Sequence, residues 1–94
     1  MFKFAGMEEE VKVGIENFRK ECEKRWAGIQ LVIPVRPTGG NFLISFTLMG
    51  FRTYGTVHED DFADFGEFGK LTPGLEKVLL DTDQKLKSAH PADK

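Results

Sequence analysis

Between Asn41 and Met49 a large apolar side chain stands at every second position: Phe42, Ile44, Phe46 and Leu48. Successive side chains of a strand point to opposite faces, so this row predicts a sheet buried on one side. A sheet face of that kind must be roofed. Two amphipathic segments are available. Val11, Ile15, Phe18, Cys22 and Trp26 recur every three or four residues and predict a helix over Met7 to Ala27. Its other faces are charged, and Glu8–Lys12, Glu16–Lys20 and Glu21–Arg25 stand four apart in the favourable acid-first order. Gly14 weakens its interior by about 1 kcal/mol relative to Ala, and Gly28 is a natural stop. Thr72-Pro73 supplies an N-cap and a first-turn proline for a second helix. Leu75, Val78, Leu79, Thr82 and Leu86 carry its apolar stripe to about Ser88.

Ile29 to Arg36 alternates as well, with Ile29, Leu31, Ile33 and Val35 on one side. Pro34 cannot donate a ladder hydrogen bond, which places this strand at an edge. Pro37-Thr38-Gly39-Gly40-Asn41 reads as the turn of a hairpin. Gly50 reads either as a turn or as a bulge within one long bent strand; because a two-stranded hairpin is marginal alone, a turn into a third strand, Arg52 to His58, is favoured. Glu59 to Lys70, with Gly66 and Gly69, reads as a loop holding at most one helical turn. The fold expected is α+β: a two-layer sandwich in the order α-β-β-β-α, a three-stranded antiparallel sheet with two helices on one face. Residues 1–88 form one domain and 89–94 a polar tail.

Composition removes several function classes. A chain of 94 residues has room for one core. Its net charge of −2 is wrong for a generic polyanion binder. One cysteine cannot make an internal disulfide. The apolar runs Ile29–Val35 and Phe42–Leu48 are too short to span a bilayer. Met1–Gly6 has no long apolar stretch of the kind that opens a secretory leader, so a soluble cytoplasmic protein is expected.

No pattern of catalytic residues stands out. Cys22 lies on the apolar stripe and reads as a small buried hydrophobe. His58-Glu59-Asp60-Asp61 lacks both the second histidine of a zinc helix and the spacing of a calcium loop. Thr38-Gly39-Gly40-Asn41 joins two strands, whereas phosphate loops open onto a helix. The expectation is a non-enzyme with no metal and no cofactor.

Two surfaces draw attention instead. Glu59 to Phe68 holds five acids and no Lys or Arg, with Phe62, Phe65 and Phe68 spaced by three. Residues 1–57 carry eight bases and six acids, whereas 58–94 carry five and nine, a split of +2 and −4. Acids beside large rings suit a loop that docks on a basic, apolar groove. Asp60, Asp61, Phe62, Asp64, Phe65 and Phe68 are therefore the candidate partner-binding residues. The plainer reading, that some of these rings close the core while the acids stay in water, carries more weight. The second surface is the other side of the sheet, where Val32, Leu43, Met49 and Tyr54 stand among polar residues. Mixed polarity there means that the 59–70 loop folds across it, a partner covers it or a second copy does, and self-association is the default because two-fold dimers are the commonest oligomers.

The helix–three-strand–helix order resembles the double-stranded RNA-binding domain in topology. That family sets a lysine cluster at the start of its second helix; here the stretch is Thr72-Pro73-Gly74-Leu75-Glu76-Lys77, and no residue is carried over. The function expected is an adaptor or inhibitor-like module binding a protein with a basic groove. The alternative is a nucleic-acid-binding module using Arg19, Lys20, Lys24, Arg25, Arg36 and Arg52.

Overall fold

The computed structural model describes residues 9–89. Its elements run α1 (Glu9–Arg25), β1 (Gln30–Val32), β2 (Asn41–Leu48), β3 (Phe51–His58), α2 (Glu59–Phe68) and α3 (Pro73–Ala89). The fold is α+β, an antiparallel sheet in the order β1-β2-β3 with helices packed on it. Phe42, Ile44 and Phe46 are all fully buried, as their alternation requires. The first residues of the expected α1 and residues 90–94 of the expected tail lie outside the described residues.

The chain reverses in two tight turns, of which the second sets the β2–β3 register. Met49 and Gly50 both have positive φ (52° and 85°) between the paired residues Leu48 and Phe51. Two left-handed central residues make the hairpin turn whose twist matches that of the strands. Gly39 and Gly40 (59° and 82°) do the same between Thr38 and Asn41, which exchange backbone hydrogen bonds of 2.8 and 3.0 Å. β1 is shorter than its alternation predicts. Pro34 withholds a donor and restrains Ile33 before it, so the ladder ends at Val32 and Val35 turns out into solvent.

The larger correction concerns residues 59–68, which form a ten-residue helix and not a loop. His58 is its N-cap: extended in backbone, it accepts the Asp60 N–H at Nδ1 (3.1 Å). Glu59, Asp60 and Asp61 fill the first turn, where the helix dipole favours acids. Gly69 ends the helix in a left-handed conformation, its N–H returning to the Phe65 carbonyl at 2.9 Å. Gly66, which locally reads as a helix breaker, meets α1 at close range. A β-carbon there would run into the Glu10 carbonyl, as one on Gly14 would run into the Phe62 carbonyl. The two glycines are where α1 and α2 press together.

Four rings make the centre of the core. Phe46 meets Phe18 edge-on (6.3 Å), Phe18 meets Phe62 (5.5 Å) and Phe62 meets Phe42 (5.3 Å). Polar contacts tie α3 in at both ends. Thr72 Oγ1 accepts the Leu75 N–H as N-cap (3.1 Å) and donates to Asp61 Oδ1 (2.7 Å). Trp26 Nε1–H donates to Asp83 Oδ1 (3.0 Å), and Lys87 pairs with Asp83 Oδ2 (3.0 Å).

Candidate functional site

Helices occupy one side of the sheet, and the open side is built from alternate residues of the three strands. The register sets Gln30 beside Thr47 beside Arg52, and Val32 beside Ser45 beside Tyr54. Leu43, opposite Thr56, is the diagonal neighbour of both Val32 and Tyr54. Val32, Leu43 and Tyr54 are 66 %, 58 % and 48 % exposed. Between Gln30 and His58 this face carries no carboxylate, and its charged side chain is Arg52, which donates weakly to Thr47 Oγ1 at 3.4 Å. Met49 is also exposed (79 %), but it sits in the β2–β3 turn at the rim and not on the strand face.

The acidic-aromatic segment divides as the plainer reading expects, with rings in the core and acids in water, though as a helix and not a loop. Once the stretch is helical, its i, i+3 spacing turns Phe62 and Phe65 inward together, and both are buried. They lie in the core, so neither has a surface to offer a partner. Phe68, at the end of α2, is 65 % exposed. Asp61 is held by Thr72 above the first turn of α3, and its carboxylate leaves no space for a side chain on Gly74. Asp60, Asp64, Glu67 and Phe68 remain outward.

Cys22 is completely buried, and burial pushes its thiol up to about 12, the wrong direction for a nucleophile. The basic residues divide between the two layers. Arg25 is paired with Glu21 at 2.8 Å, and Arg19, Lys20 and Lys24 lie on α1, in the layer opposite Arg52. Among the described residues no three of His, Cys, Asp and Glu converge as a metal would need. No helix among them is long and apolar enough to cross a membrane.

A feature with no clear signature in the sequence is the outer edge of β3. The two-residue Met49-Gly50 turn makes Leu48–Phe51 a hydrogen-bonded pair, so Phe46–Thr53, Ile44–Gly55 and Phe42–Val57 are bonded too. The Glu59 N–H to Gly40 carbonyl bond (2.8 Å) fixes the same parity at the far end. Arg52, Tyr54 and Thr56 therefore turn their N–H and C=O groups away from β2. Lys85 of α3 donates to the Tyr54 carbonyl at 3.1 Å, which places α3 beside that edge. Gly55 makes this possible, since Val78 of α3 and the Phe46 ring fill the space a β-carbon would need. Between the edge and α3 runs a groove of about 490 Å³.

Comparison of the chain with protein-family models, curated proteins and solved structures found no match.

Proposed function

We propose that this protein is a non-catalytic protein-binding module, of adaptor or inhibitor type, that self-associates through the open face of its sheet. The observation that carries the reading is the triangle of Val32, Leu43 and Tyr54, large and exposed on a face without a carboxylate. Burying such side chains is worth about 25 cal/mol per Å². A strand of eight residues is about 26 Å long and three strands span about 14 Å with their margins, a plane of a few hundred Å². A standard interface takes roughly 800 Å² from each partner. Self-association by this face alone is therefore weak and concentration-dependent. The outward acids Asp60, Asp64 and Glu67, with Phe68 beside them, are the surface left for a partner protein with a basic groove.

A dilution series followed by nuclear magnetic resonance tests the reading. Methyl and amide signals of Val32, Leu43 and Tyr54 should shift with protein concentration, while Val13 and Leu80, exposed on the helices, stay fixed. Signals that move nowhere, or move only on the helices, contradict it.

A further inference from the structure

The free edge of β3 is a surface separate from the open face. We propose that it takes an extended peptide segment of a partner protein as a fourth strand, laid along the groove against α3. Five backbone groups there have no protein partner among the described residues: two from Arg52, two from Thr56, and the Tyr54 N–H. Exposed edges are normally blunted by a proline, a bulge, charged side chains or a covering helix. From Arg52 to Thr56 β3 has no proline or bulge, and its register with β2 is unbroken; Arg52 carries its charge, and α3 stands across the groove. The side chain that reaches the edge from α3 is Lys85 on the Tyr54 carbonyl, exposed and able to swing into water while its stem stays in place.

The groove selects the occupant. A second copy pairing through the same edge would bring its own α3 over the shared ladder. Strands in a ladder lie about 4.8 Å apart, whereas packed helices need about 8–10 Å between axes, so two copies of α3 would collide. A single extended segment carries no helix and meets no such obstacle. Along α3 the wall is Lys77, Val78, Asp81 and Lys85. Around the groove Lys77 and Lys85 are balanced by Asp61 and Asp81, so a segment without net charge is favoured, and Val78 beside Gly55 suits a small apolar side chain toward α3. Main-chain bonds supply the affinity and alternate side chains the preference, as in strand addition generally.

The test uses the full chain and a displayed library of random seven-residue peptides, long enough to run from Arg52 to His58. Enriched peptides should show a two-residue period with small apolar residues on one side. Bound, they should slow hydrogen exchange of the Arg52, Tyr54 and Thr56 amides at least tenfold. Thr56→Pro removes an outward N–H, a change edge strands tolerate, and should weaken binding at least tenfold with the amide spectrum otherwise preserved. Should that variant fail to fold, peptides N-methylated at alternate residues test the same bonds on unaltered protein, and one of the two methylation phases should abolish binding. No enrichment, indifference to both methylation phases, or binding mapped to Val32 and Leu43 would overturn the proposal. So would edge amides already protected in the peptide-free protein, which would mean a second copy or the chain's own terminal residues fill the edge. Binding mapped to Val32 and Leu43 would bear on the open face; the other outcomes leave the reading of that face untouched.

Discussion

Gly14 of α1 lies directly against the backbone of Phe62 in α2, and the Phe62 carbonyl occupies the space a Gly14 side chain would need. Ala is normally the better helix former by about 1 kcal/mol. Here the preference should reverse. Gly14→Ala and Gly66→Ala must each force the two helices apart, and overpacking of this kind costs about 1–3 kcal/mol or more. Urea denaturation is expected to show both variants less stable than wild type. A gain in stability from either would mean the helices do not approach as described.

The rings of α2 separate in the same way. Phe62→Ala removes the middle of the edge-to-face chain Phe18–Phe62–Phe42 and should cost about 3–5 kcal/mol, enough to unfold a marginal domain. Phe68→Ala should change stability by less than about 0.5 kcal/mol, because the ring is mostly in water. Partner capture is therefore to be tested with Phe68, Asp64 and Glu67 variants, checked for folding by circular dichroism.

Cys22 supplies a chemical probe of the core. Its thiol is held protonated by burial, with its pKa near 12, so an aromatic disulfide reagent at mildly alkaline pH should react slowly with the folded chain and fast in urea. Below the ordinary thiol value both states are protonated and nothing changes. As pH rises from about 9 toward about 12, the unfolded state ionises first and the fold loses stability.

At the other end of the scale Asp83 is the informative group. Hydrogen bonds from Trp26 and then Lys87 hold its carboxyl below the ordinary aspartate value. A depressed pKa gives stability that is present above about pH 3.9 and lost as pH falls through the folded value. Trp26 is the single tryptophan, so its fluorescence reports the loss directly. Asp83→Ala should lower stability by roughly 1 kcal/mol and remove this acid-dependent fluorescence step; a step that persists would assign it to another group.

Where sequence and structure part company, the reason is physical. The row from Phe42 to Leu48 and the stripes of α1 and α3 were legible because burial and backbone period coincide there. Thr72-Pro73 was legible because an N-cap is a local device. Gly66 and Gly69 misled for opposite reasons. Gly69 ends a helix and does not mark a loop, while Gly66 is required by a contact with α1 that no window around residue 66 contains. The N-cap at His58 carried no warning, histidine being outside the usual capping set. As for the candidate surfaces, the exposed triangle on the sheet could be read from alternation. The β3 edge could not, since which backbone groups turn outward depends on a two-residue turn and on where α3 comes to rest.

The central claim, that the open sheet face is a contact surface, is tested most directly by sedimentation equilibrium of the full chain from micromolar to millimolar concentration. Wild type should pass from monomer to dimer within that range. Leu43→Ser with Val32→Ser, which removes two corners of the triangle without touching the core, should remain monomeric at every concentration while keeping the same circular dichroism. A wild-type chain that stays monomeric throughout, or a folded double variant that dimerises as wild type does, would contradict the account.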